Sequence, residues 1–74
     1  MNVEIELFGH LAYSLPRRQT LTLEHSMTVL DVANLLELNP DEIGLIVING
    51  VQSEFQDPVP PDCRLCFFPP MSGG

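Results

Sequence analysis

The sequence contains no lysine. Its basic side chains are three arginines, set against ten aspartates and glutamates, for a net charge of −7 and a pI near 4.3. Without lysine there is no side-chain amine for isopeptide linkage, so the chain cannot form polymers on itself through lysine. The excess negative charge repels phosphate backbones and anionic bilayers, which argues against nucleic acid and membrane surfaces as partners. It suits a protein partner with a basic docking face, where complementary charge speeds encounter more than it tightens the complex. Also missing is any apolar run near the ~20 residues needed to cross a bilayer. The opening Met1-Asn2-Val3-Glu4 has neither the basic n-region nor the apolar h-region of a secretion signal, so a cytoplasmic location is expected. Repeats and low-complexity tracts are absent as well.

Cysteine is scarce. Cys63 and Cys66 form a C-x-x-C, a spacing that in a cytosolic protein can denote redox or metal chemistry. Here it lies in Cys63-Arg64-Leu65-Cys66-Phe67-Phe68, which reads as a strand, and residues three apart on a strand point to opposite faces. No second C-x-x-C exists, and His10 and His25 are far away in sequence. A closed zinc site needs four ligands. No metal and no bound cofactor are expected.

What is present suffices for one domain. The 74 residues are 45% hydrophobic, near the lower size limit at which a single core holds without staples. Val3-Glu4-Ile5-Glu6-Leu7-Phe8 alternates, with Val3, Ile5 and Leu7 on one face and Phe8 among the other set. Gly9 closes that strand, a loop follows to Pro16, and Arg17-Arg18 reads as a solvated pair. Residues 19–25 alternate again, with Leu21 and Leu23 inward. Thr28-Val29-Leu30-Asp31 is a capping box. From it Val29, Val32, Ala33 and Leu36 follow at helical spacing, predicting a helix over residues 29–38 that Asn39-Pro40 stops. Pro40-Asp41-Glu42-Ile43 is placed to add one turn, with proline at its first position.

Leu45-Ile46-Val47-Ile48 predicts a strand, and Asn49-Gly50 a two-residue hairpin requiring positive φ at both positions. A short strand over 51–55 should return, followed by a connection rich in proline at 58, 60 and 61. The last strand spans residues 63–68. The expected buried set is Val3, Ile5, Leu7, Leu21, Leu23, Val29, Val32, Leu36, Ile46, Ile48, Leu65 and Phe67. This order of elements predicts an α+β fold of the β-grasp type. A mixed sheet of four to five strands would pack on one helix, with the first and last strands parallel at its centre. The domain would occupy residues 1–68 and an extended tail residues 69–74.

The tail, Pro69-Pro70-Met71-Ser72-Gly73-Gly74, is the feature the rest serves. Pro69-Pro70 favours an extended path, and two glycines without Cβ atoms make a thread thin enough to enter a narrow site. Beside its root, four residues off the core face are apolar where a solvated face would be polar: Phe8, Val47, Cys66 and Phe68. Apolar patches of this kind mark partner sites on monomers.

With this order and this ending, the chain resembles the MoaD/ThiS family of ubiquitin-like sulfur carriers, most of all the small subunit of molybdopterin synthase. Thr28-Val29-Leu30-Asp31, Val47-Ile48-Asn49-Gly50 and Phe67-Phe68-Pro69-Pro70-Met71-Ser72-Gly73-Gly74 carry the resemblance, which covers the whole chain. The resemblance implies chemistry at Gly74. An ATP-dependent activating enzyme would adenylate its carboxylate, and a sulfur donor would convert it to a thiocarboxylate. The tail would then dock in the larger synthase subunit and deliver sulfur to a pterin precursor. ATP would belong to the activating partner, and the carrier would not be catalytic alone. A carrier for the thiamin thiazole or another sulfur-containing product remains open, as does a ubiquitin-like protein modifier.

Overall fold

A computed structural model describes residues 1–71 of the chain. Five strands form one sheet: β1 (Asn2–Leu7), β2 (Arg18–Thr22), β3 (Leu45–Ile48), β4 (Val51–Ser53) and β5 (Cys63–Phe68). Their order across the sheet is β2-β1-β5-β3-β4. β1 and β5 run parallel at the centre, and every other pairing is antiparallel. One helix, α1 (Val29–Leu35), covers one face. This is the β-grasp arrangement expected from the element order, and the chain leaves the sheet from its central strand. Among the described residues, no helix is long and apolar enough to cross a membrane.

The capping box forms as the spacing predicts: Asp31 N donates to Thr28 Oγ1 at 3.2 Å, and Thr28 N donates to the Asp31 carboxylate at 3.1 Å. The two other free donors at the helix start find partners the sequence did not disclose. Val29 N and Leu30 N donate to the carbonyls of Asp57 and Phe55, each at 3.0 Å. The proline-rich connection is thereby docked on the helix, and it buries Val59 against the core. Orphan N–H groups at a helix start require such acceptors when they leave water.

The helix ends earlier than residue 38. Glu37 adopts φ 61°, Glu37 N donates to Asn34 O, and Leu38 N donates to Ala33 O at 2.9 Å. This is a Schellman termination, and Leu38 and Ala33 are both buried beneath it. Glycine usually takes that left-handed position; a glutamate there gave no sign of the stop. Pro40–Glu42 makes the anticipated extra turn, a 3₁₀ turn capped by the Asn39 side chain. The Asn49-Gly50 hairpin has φ of 50° and 83°, as a two-residue turn of the expected kind demands.

β4 stops at Ser53, not at residue 55. The Asp57 carboxylate accepts from Ser53 Oγ at 2.8 Å and from Glu54 N at 2.9 Å, which folds the chain back before a longer strand can form. The backbone bond, then the Ser53 hydroxyl, hold the Asp57 carboxyl below the usual carboxylate range.

Ten of the twelve predicted core residues are buried; Leu21 and Ile48 are partly buried and pack against the cluster's margin. Leu21 sits on the edge strand β2, with no strand beyond it, while Ile48 is paired on both sides but is the last residue of β3, beside the Asn49-Gly50 turn at the sheet's end. The core also takes in Leu11, Ala33, Leu38, Ile43, Val59 and Cys63. Leu11 belongs to a 3₁₀ turn (Gly9–Ala12) inside the segment that reads as loop. Helical and strand periodicity cannot signal such isolated residues.

Candidate functional site

Side chains of β5 alternate in direction, and this parity sorts the two cysteines to opposite faces as predicted, although Leu65, Cys66 and Phe67 are all buried. Cys63 pairs with Val3 on the core side, while Cys66 pairs with Glu6 on one flank and Val47 on the other. Cys66 is only 9% exposed, so it forms the floor of the outer face and not a raised contact. Burial, then the Glu6 carboxylate, push its thiol above the usual range, with Arg64 pulling weakly the other way. Burial does the same to Cys63. Both thiols are neutral near pH 7 and poor nucleophiles.

The four outer-face residues chosen from parity come together in two rows. Glu6, Cys66 and Val47 make one row across β1, β5 and β3. Phe8, Phe68 and Leu45 make the next, nearer the end of the chain. The rings of Phe8 and Phe68 stack with centroids 4.2 Å apart and planes 9° from parallel. Phe68 pairs across the sheet with Leu45, which is 37% exposed and stands outside the four residues expected from the sequence. The same alternation that selected Val47 selects Leu45 two residues earlier. Glu6 closes the patch on one side, meeting Arg18 at 3.5 Å.

The root of the tail is seated, not free. Two backbone bonds hold the end of β5: Phe8 N donates to Phe67 O at 3.1 Å, and Gly44 N donates to Phe68 O at 2.8 Å. Pro69 and Pro70 have no N–H, so the ladder cannot continue past them. They lie instead between two glycines. A Cβ on Gly9 would stand 2.8 Å from Pro69 Cγ. One on Gly44 would overlap the Cα of Pro70 and stand 3.0 Å from Pro69 O. Pro69 is half-buried, and by Met71, at 95% exposure, the chain has left the body. Phe8, Leu45 and Phe68 line the apolar groove along which it leaves. Of the predicted tail, Ser72, Gly73 and Gly74 lie outside the described residues.

Residues 5–74 match the ThiS family. The chain belongs to that family. A search of curated protein sequences finds no match. Among solved structures, SAMP1 of Haloferax volcanii is similar at 24% identity and a TM-score of 0.75, with 100% of each chain covered. The subunit 1–subunit 2 complex of molybdopterin-converting factor from Helicobacter pylori contains a chain similar at 16% identity and a TM-score of 0.64, again with 100% of each covered. At these identities the likeness is one of fold. The ThiS-family chain thus shares the small ubiquitin-like β-grasp fold of these proteins. The match runs through residue 74, so it takes in the tail as well as the sheet.

Proposed function

We propose that this ThiS-family protein carries sulfur as a thiocarboxylate on Gly74 and delivers it in molybdopterin synthesis. The observation that carries the reading is the tail. It leaves a central strand through Pro69-Pro70, ends in Gly-Gly, and falls wholly within the family match. A carboxylate is a poor electrophile. Attack of the Gly74 carboxylate on the α-phosphorus of ATP, with pyrophosphate leaving, makes an acyl-adenylate in the activating enzyme. Sulfur delivered at the sulfide level, as hydrosulfide, then adds to that carbonyl and expels AMP, so the C–O bond to AMP breaks as the C–S bond of the thiocarboxylate forms. The acyl-adenylate hydrolyses readily, so the partner must exclude water while holding the thread. The carrier's own part is to reach, and to offer no competing nucleophile. It has no lysine, and burial keeps both its thiols neutral.

The outer face supplies docking. Phe8, Val47, Leu45 and Phe68, above Cys66, form an apolar surface against which the activating enzyme and the larger synthase subunit would each seat in turn. Val47→Asp is expected to leave the thermal midpoint near that of the wild type, because Val47 lies on the half-exposed side of β3. It should weaken binding to both partners by more than ~2 kcal/mol if the face contains a hot spot. Calorimetric titration of each partner checks this. A folded variant with wild-type affinities would move the docking face elsewhere.

The modifier reading draws on the likeness to SAMP1. Intact mass separates the two. Purified from cells expressing the activating enzyme and a sulfur source, the carrier should be heavier by the difference between sulfur and oxygen, and it should lose that increment when incubated with the synthase subunit and a pterin precursor. Recovery only as the acid would overturn sulfur carriage, and amide conjugates on other proteins would replace it by modification.

A further inference from the structure

The glycines flanking the tail root perform a task that periodicity does not explain. Gly9 opens the 3₁₀ turn after β1, and Gly44 immediately precedes β3. They come from segments far apart in sequence and meet on opposite sides of Pro69-Pro70. Gly9 has φ +60°, so its backbone alone also disfavours a side chain. At Gly44 the absent Cβ matters for space alone: Pro70 occupies the volume a side chain would need. The Gly44 N–H meanwhile holds Phe68 O at 2.8 Å, which fixes the last residue before the prolines.

We propose that Gly9 and Gly44 form a seat that sets the direction in which the tail leaves the domain, and that Gly44 is a positioning residue for chemistry at Gly74. Proline restricts φ within the tail but cannot fix how the tail is joined to the body. A close backbone-to-backbone approach does, because repulsion on both sides leaves one path. With the outer face docked on a partner, that path decides whether the terminal carboxylate meets the reacting phosphorus. Placement errors of about 1 Å reduce such reactions on the order of 100-fold. This inference rests on the carrier reading, and its test separates the two.

The experiment compares the wild type, Gly44→Ala and Gly50→Ala. Gly50 is the control: at φ +83° with nothing near a Cβ, its alanine variant strains the fold without touching the tail. In ATP–pyrophosphate exchange with the activating enzyme, Gly44→Ala should lower kcat at least tenfold while KM stays within about twofold. The docking face is unchanged, and only the aim of the thread differs. Gly50→Ala should keep both constants, assayed below its thermal midpoint. In parallel, NMR should give cross-peaks between the Gly44 and Pro70 Hα protons in the wild type and in Gly50→Ala. In Gly44→Ala the methyl takes the place of the proton nearest Pro70, and cross-peaks from that methyl to the Pro70 Hα should be absent, because the tail root moves away from it. A wild-type kcat in a Gly44→Ala protein that lacks these methyl cross-peaks would overturn the positioning role. Absence of the Gly44–Pro70 cross-peaks from the wild type, or presence of the methyl cross-peaks in Gly44→Ala, would overturn the seat itself. If the wild type supports no exchange, the carrier reading fails, and the cross-peaks alone then decide whether the seat exists.

Discussion

Phe67→Ala is expected to abolish the cooperative unfolding transition at 37 °C. Phe67 is the largest of the fully buried side chains, at 0% exposure. It lies on β5, paired with Leu7 of β1 on one side and Ile46 of β3 on the other. Its ring therefore sits at the middle of the sheet, facing the core. Removing it deletes apolar area and leaves a cavity that a parallel central pair cannot close by shifting one strand. Phenylalanine-to-alanine changes at such sites cost about 3–5 kcal/mol. A domain of this size has a total stability of about 5 kcal/mol, at the low end for folded proteins. Circular dichroism through a thermal or urea ramp reads the outcome. A sharp transition near the wild-type midpoint would mean that Phe67 does not face the core. Phe68→Ala, one residue on and on the opposite face, should unfold cooperatively and serves as the matched control.

Deleting Gly74, or adding one residue after it, should abolish thiocarboxylate formation and leave the thermal midpoint unchanged. Chain ends contribute few contacts to a fold, so stability should not register the change. Activation is different, because the reacting carboxylate would be displaced by a residue's length from where the docked body presents it. The readouts are intact mass after incubation with ATP, the activating enzyme and a sulfur donor, and thermal unfolding of the same samples. Sulfur transfer by an extended chain that mass spectrometry finds still extended would overturn the assignment of Gly74. Together the two variants separate the halves of the molecule: one removes the platform and keeps the thread, the other the reverse.

The fold was legible wherever a local rule acts alone. Alternation over β1 and β5 selected the buried faces correctly because side-chain direction in a strand depends only on parity. Thr28 and Asp31 announced the helix start because both partners of the capping box lie within one turn. Asn49-Gly50 announced the hairpin for the same reason. The errors cluster where the determining partner is distant or the residue unusual. Glu37 adopts a left-handed conformation that glycine would have advertised, and Asp57 curtails β4 from four residues beyond Ser53. Leu11 and Val59 are buried by elements that approach from elsewhere in the chain.

The candidate site divides along the same line. By itself, the sequence determined the chemical character of the ending: no lysine, two thin terminal glycines, two prolines, and apolar residues at outward parity on three strands. These are properties of composition and spacing, and they need no neighbour to be true. Only the tertiary structure decided how those pieces combine. The parallel pairing of β1 with β5 brings Phe8 against Phe68, and the pairing of β3 with β5 adds Leu45 to the same row. Gly9 and Gly44 acquire their meaning only when Pro69 and Pro70 pass between them. Contact between residues so far apart in the chain depends on the whole sheet closing, because a short-range rule carries no information about which distant backbone will fill the space a missing side chain leaves.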